Sequence, residues 1–387
     1  MTESTKALIF KDNLRHNIKS IKNHIGQNVK MCVAVKADGY GHGSFITSKI
    51  ALEEGADFLA VARVEEGIEL RKKGIDARIL LLSLCNPSLF QKLFEYEITP
   101  FVFGKDHIKN LSNAADEYLK NSDRKVAVHL AVDTGMGRIG CFPEVAGTEA
   151  ELINNSNHLF LEGMGTHFAV SDSLSSDNIS YTQKQFDAFK TAVENVKSFG
   201  INPGICHAGA SAVILNNPGF HLDMVRPGII TYGYYPDEIT KNFLLQKGID
   251  LNLKPVMQFE TEVSAIRHFK KGMSVSYGRT WTCTEDTDIA VLPVGYADGL
   301  LRRFSPGLKV AINKKEYPVV GRICMDQCMV NIGKGNTDVH VWDKAVIFGP
   351  VENGEATQDA YTLAALGKTI SYEVLTSVGK RVPRIEI

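Results

Sequence analysis

The sequence predicts an α/β protein: an N-terminal (β/α)8 barrel of the TIM type followed by a C-terminal, mostly-β domain. Three observations carry this. The chain has 387 residues, more than one ordinary core holds, so two bodies or a barrel with an appendage are expected. From about Ile9 to Tyr235, short apolar runs alternate with amphipathic stretches, the pattern of parallel strands and their covering helices. After about Asp250 the texture changes to β-rich runs broken by polar turns. The expected domains are residues 9–245 for the barrel, and residues 250–387 with residues 1–8 for the β domain.

In chain order, the barrel strands are expected in "MCVAVKA", "ADFLAVA", "ARILLLS", "ITPFVF", "KVAVHLAVD", "LFLEGMGTHFA", "GICHAGASA" and "MVRPGIITYG". Helical patterns lie between them, among them "VEEGIELRKKG" and "YTQKQFDAFKTAVENVKSFG". The latter closes on Gly200, a good helix stop. An open doubly wound sheet fits less well, because no Gly-x-Gly-x-x-Gly turn opens a helix after the first strand. In the second domain, "PVMQFETEVSAIRHF", "DIAVLPVGYA", "LKVAINKKEYPVVGRICMDQCMVNI" and "KAVIFGP" read as strands. Long helical patterns are scarce there until "DAYTLAALGK". The short strand "TKALIF" could join either body.

Charge excludes some functions. Lys+Arg 43 against Asp+Glu 44 leaves a net of −1, which gives no electrostatic case for nucleic acid or an anionic membrane. No apolar run reaches spanning length and "MTESTKALIF" lacks a signal-peptide pattern, so a soluble cytoplasmic protein is expected. The 7 cysteines are scattered and show no metal-ligand spacing. They are expected as reduced thiols, with no metal site.

In a (β/α)8 barrel the working groups lie at the C-terminal ends of the strands. Lys36 falls there on the first strand, where partial desolvation favours the neutral amine and a Schiff-base role. A lysine snorkelling into solvent would look the same in isolation. The other strand ends bear on the choice. "VDTGMGRIG" sets Arg138 on a glycine-bracketed loop, suited to a carboxylate or phenolate. "GTHFA" places His167 after the sixth strand, and "CHAGASA" places His207 and Ser211 after the seventh. "VRPGI" brings Arg226 on the eighth strand, with the backbone of Gly228 and Ile229 near the usual phosphate site of such barrels. Each alone could be a core residue or a surface ion pair; polar groups on five strand ends together point to a site.

These residues resemble the alanine racemases, fold-type III enzymes that use pyridoxal 5′-phosphate. The resemblance rests on "AVKADGYGHG", "VDTGMGRIG", "HAGASA", "RPGI", "SYGRTW", "VGYADG", "GRICMDQCMV" and "YEVLTSVGKRVPR", in that order along nearly the whole chain. It implies that Lys36 carries the cofactor and acts as one base, with Tyr277 of the partner subunit as the opposite base. Tyr40, Ser211, the backbone of Gly228 and Ile229, and Tyr372 would hold the phosphate. Arg138 and the Met325 amide would bind the substrate carboxylate, and Arg226 would face the pyridine nitrogen. His167, His207 and Asp326 would support them, and Tyr296 would gate the entrance. It further implies a homodimer with shared sites, alanine as substrate, and D-alanine supplied to the cell wall.

The type of each residue suits that chemistry. Racemisation removes a proton from one face of a carbon and returns it on the other, which calls for two bases. An aspartate beside the ring nitrogen would accept its N–H and keep it protonated; an arginine only donates and cannot accept that proton, so the nitrogen is expected to stay unprotonated. Two positions depart from the family. Many members have lysine, carbamylated, where Ala131 stands, and often asparagine where Ala210 stands. No carbamate is therefore expected here. The rival readings are a serine or broad-specificity racemase and, further off, a decarboxylase of the same fold type. A non-catalytic pyridoxal-phosphate carrier or a metal-dependent barrel hydrolase fits less well.

Overall fold

The computed structural model describes residues 4–350 and 358–387. It divides into two compact units, residues 15–39 with 44–253, and residues 1–14 with 40–43 and 254–387.

After β1 (Lys6–Ile9), the first unit holds eight parallel strands: β2 (Lys30–Ala34), β3 (Phe58–Val61), β4 (Arg78–Leu81), β5 (Ile98–Val102), β6 (Val126–Ala131), β7 (Leu159–Gly165), β8 (Ile205–His207) and β9 (Met224–Val225). Their order runs β8-β7-β6-β5-β4-β3-β2-β9, and a lone parallel bridge from Ala210 to Arg226 spans the remaining seam. This is the expected (β/α)8 barrel. The strands read as continuous apolar runs because they are covered on both faces: Phe58–Val61 and Ile98–Val102 are buried throughout. A register shift between Val128 and His129 breaks the β6–β7 ladder. Such a bulge re-aims the side chains beside it.

All eight predicted barrel strands form, but the last is short. "MVRPGIITYG" keeps only two strand residues, and Arg226 lies just beyond them rather than within the strand. Ile229–Tyr232 turn into a buried 3-10 helix. Pro227 has no N–H to give a ladder, so β-branched Ile229 and Ile230 could not continue as strand.

The second unit is built on a nine-stranded sheet and a two-stranded ribbon. The strands are β10 (Met257–Glu262), β11 (Ala265–Phe269), β12 (Ser274–Val275), β13 (Trp281–Thr282), β14 (Thr287–Leu292), β15 (Lys309–Ile312), β16 (Lys315–Val320), β17 (Cys328–Gly333), β18 (Lys344–Phe348) and β19 (Arg384–Glu386). The order β11-β14-β17-β16-β15-β18-β10-β1-β19 takes up the N-terminal strand, antiparallel to β10 and parallel to β19. A helix over Ser371–Ser377 was not anticipated; it follows the expected one, Ala360–Gly367. Among the described residues no helix is long and apolar enough to cross a membrane.

Candidate active site

Lys36 stands where the first barrel strand gives out. Val35 still donates to Ala60 O at 2.9 Å; then Ala37, Asp38, Gly39 and Tyr40 all take positive φ, from 51° to 61°. A left-handed turn costs roughly 1–2 kcal/mol for each residue with a Cβ, so something must hold it. Asp38 Oδ1 accepts from Ser44 N at 2.8 Å, and Gly39 N donates to Val35 O at 2.8 Å. Ala37 N donates to Glu66 Oε1 at 2.7 Å, while Glu66 Oε2 accepts from Ala62 N and Arg63 N at 2.8 and 3.1 Å. One carboxylate thus ties the residue after Lys36 to the turn that follows β3. Glu66 went unremarked in the sequence; its signal was only that of a helix-capping residue in "VEEGIELRKKG".

Burial holds the Lys36 amine below its ordinary range; the Arg138 guanidinium adds to this, Glu66 opposes it, and Arg226 adds a further share. Such an amine spends more time neutral and nucleophilic than a surface lysine. Arg138 is exposed, and among the described residues it forms no ion pair or hydrogen bond. A cation beside the amine without a counter-ion is suited to an incoming carboxylate.

Arg226 lies at the centre of the buried polar groups. Its Nη2 donates to Thr166 O at 2.6 Å and to Ala208 O at 3.1 Å, its Nη1 contacts His207 Nδ1, and His167 Nδ1 lies 3.5 Å from Nη2. Among the described residues no carboxylate pairs with it. Burial pushes Arg226 down to about 10, with Cys32 opposing and Arg138 adding, which still leaves it charged at neutral pH. His167 is pushed down to about 3, first by burial and then by Arg226, Arg138 and Lys36. His207 falls well below its usual range for the same first reason.

Those histidines predict an acid limb in stability. Unfolded, they take up protons below the ordinary value of 6.5; folded, they do not until the pH is far lower. The stabilisation is therefore whole above 6.5 and declines as the pH falls towards about 3. Urea unfolding at about pH 5.5 should show roughly 1 kcal/mol less stability from His167 alone than at about pH 7. Equal stability at the two values would contradict it.

Ser211 opens the short helix Ser211–Asn216, whose N-cap residue Ala210 supplies no side-chain acceptor. Ser211 Oγ accepts from Gly228 N at 3.0 Å, which joins the start of this helix to the 3-10 turn. Gly228 thus spends its N–H on Ser211. The amides that begin each turn, including those of Ile229 and Ala212, have no acceptor within it. Ile229 is fully buried and Ala212 nearly so. Buried donors of this kind, gathered at two helix starts, fit a phosphate group.

The remaining predicted residues belong to the other unit. Tyr40 and Tyr372 come together, ring centroids 6.1 Å apart, and burial pushes the Tyr40 phenol up to about 12, so it stays a donor. The glycine between Tyr40 and His42 is required: a Cβ on Gly41 would meet Leu375 O at 2.5 Å, and its φ is +84°. Tyr277 follows Ser276, whose Oγ donates to Arg322 O at 2.6 Å. The loops of Tyr296 and Met325 are stitched by two bonds of 3.0 Å, Tyr296 N to Cys324 O and Ala297 N to Met325 O. Tyr277, Tyr296 and Met325 are all exposed, Tyr277 by 69 %. Asp326 pairs with Arg381 at 2.8 Å, and Arg381 in turn holds Asp298 at 2.6 Å.

A depressed lysine amine and an unopposed arginine lie with the starts of two short helices at the C-terminal strand ends, where barrel enzymes as a class carry their active sites. The comparisons then settle the family. The description "Alanine racemase, N-terminal domain" matches residues 9–236, and "Alanine racemase, C-terminal domain" matches residues 256–386. The Treponema denticola protein named alanine racemase is 45 % identical, over 99 % of this chain and 98 % of its own. The alanine racemase structure from Clostridium difficile 630 superimposes with a TM-score of 0.91 at 38 % identity, covering 100 % of this chain and 96 % of that one. That of Bacillus anthracis with bound L-Ala-P gives 0.90 at 32 % identity over 100 % of this chain and 96 % of that one. The chain belongs to the alanine racemase family of isomerases.

Proposed function

We propose that this protein interconverts L- and D-alanine with pyridoxal 5′-phosphate bound at Lys36. The observation that carries the reading is the half-buried Lys36 amine, held below its ordinary range, with the unpaired Arg138 beside it. The residues present fit the cofactor: an amine for its aldehyde, and the buried amides of Ile229 and Ala212 with the Ser211 hydroxyl for its phosphate. When bound, the cofactor supplies the electron delocalisation that acidifies the α-hydrogen of an attached amino acid. Tyr40 and Tyr372 are further phosphate donors in this reading.

The chain's own groups do the rest. Arg138 and the Met325 amide take the substrate carboxylate and fix which way the α-hydrogen points. Arg226, held by two carbonyls and His207, would offer the pyridine nitrogen a donor and no acceptor for an N–H, which favours its unprotonated form. Lys36 moves the proton on one face of the α-carbon and Tyr277 on the other. The exposure of Tyr277, Tyr296 and Met325 supports a homodimer in which they serve the partner's barrel. Ala131 is buried and carries no amine, so Arg138 has no carbamate brace here. Supply of D-alanine for peptidoglycan in the cytoplasm is the cellular role that goes with this activity.

Circular dichroism of L-alanine incubated with the enzyme and added pyridoxal phosphate should decay to zero. Borohydride should stop the decay and leave the reduced cofactor on the peptide bearing Lys36. Undiminished ellipticity, or label on another lysine, would refute the proposal.

A further inference from the structure

A row of buried polar groups leads away from Arg226 into the barrel interior. Arg226 Nη1 meets His207 Nδ1; His207 Nε2 lies 2.8 Å from His129 Nδ1; His129 Nε2 lies 3.3 Å from Glu162 Oε2. The far end is closed by Arg78, whose Nη1 lies 2.9 Å from Glu162 Oε1. His129 and His207 are fully buried and Arg226 nearly so, so no water is at hand to mend a mismatch. Glycine makes the room: a Cβ on Gly163 would come 2.7 Å from the His129 ring, and one on Gly165 2.3 Å from the His207 ring.

Arginine can only donate, and an ionised carboxylate can only accept. With a fixed donor at one end and a fixed acceptor at the other, the two rings between them have one consistent assignment. His207 must accept at Nδ1 and carry its proton on Nε2. His129 must then accept at Nδ1 and donate from Nε2 to Glu162. Reversal would set an N–H of His207 against an N–H of Arg226 inside the barrel, an unsatisfied pair that burial makes costly.

We propose that Glu162 is a positioning residue for Arg226, acting through the fixed proton positions of His129 and His207. Arg226 has no carboxylate of its own, so this row aims its guanidinium while keeping the neutralising charge at a distance. The turnover arm of the test rests on the racemase reading; the spectroscopic arm does not.

Side-chain nitrogen NMR of histidine-labelled enzyme should show both His129 and His207 neutral with the proton on Nε2. In Glu162→Leu, the His207 nitrogens should shift although residue 162 does not touch that ring. Turnover of that variant should fall roughly tenfold with KM for alanine little changed, the scale on which outer partners act in metal sites. Glu162→Gln keeps a carbonyl acceptor and should restore the wild-type nitrogen pattern and most of the turnover. An Nδ1 proton on either histidine of the wild type would overturn the proposal, and that outcome needs no variant to fold. Unchanged His207 nitrogens in Glu162→Leu would overturn it equally. If the nitrogens behave as stated but alanine is not racemised by any form, the racemase reading fails and the positioning of Arg226 stands.

Discussion

Lys36→Ala is expected to eliminate racemisation, lowering turnover by more than about 10⁴-fold, while the protein stays folded. In the proposed mechanism two losses combine: the amine that would attach the cofactor and one of the two proton carriers, the latter alone worth about 10²–10⁴-fold. The fold should tolerate the change, because the lysine adds no stability through its charge. Burial and two arginines already disfavour its protonated form, and no carboxylate pairs with it directly. Its backbone contacts, through Ala37 to Glu66, do not depend on the side chain. Stopped-time chiral chromatography of alanine and a thermal melt check both halves. Retained turnover within about tenfold of wild type would remove Lys36 from the mechanism, given the size expected for a lost base.

Tyr277→Phe is expected to be milder and asymmetric. One face of the α-carbon loses its proton carrier while Lys36 still serves the other. Racemisation should fall by about 10²–10⁴-fold in both directions, since each requires both carriers. In deuterated water, however, one enantiomer should still exchange its α-hydrogen without inversion. Loss of exchange from both enantiomers, or from neither, would contradict the two-carrier account. The shared-site arrangement has its own outcome. Lys36 and Tyr277 belong to different units of the chain. Mixed dimers of Lys36→Ala and Tyr277→Phe subunits should contain one site with both native residues and recover up to about half of wild-type activity per heterodimer, as each site acts alone. Confirmed heterodimers with no recovery would place both residues in the site of a single chain.

The barrel was legible because parallel strands covered on both faces leave the same mark everywhere, a short apolar run followed by an amphipathic stretch. Each of the eight runs begins within two residues of the start of a strand. Their ends were less legible. "GIITY" has the composition of a strand, yet Pro227 interrupts the ladder and Ile229–Tyr232 coil into a 3-10 turn whose first amides are spare. Tyr40 and Gly41 read as a loop, and the backbone at Leu375 explains why a side chain at 41 is excluded. Glu66, His129 and Glu162 could not be chosen from the sequence. A carboxylate in a capping position and a histidine within an apolar strand match countless structural residues.

From its sequence alone, this chain determines its (β/α)8 and β-rich halves, the lysine at the first strand end, and the family through motifs spread along the chain. Periodicity and residue chemistry are local properties, readable one segment at a time. Only the tertiary structure decided that, among the described residues, Arg226 has no adjacent counter-ion and Arg138 no partner, and that two histidines bridge Arg226 to Glu162. Those facts depend on which side chains from distant strands share one dry interior, where a donor must find an acceptor or go without.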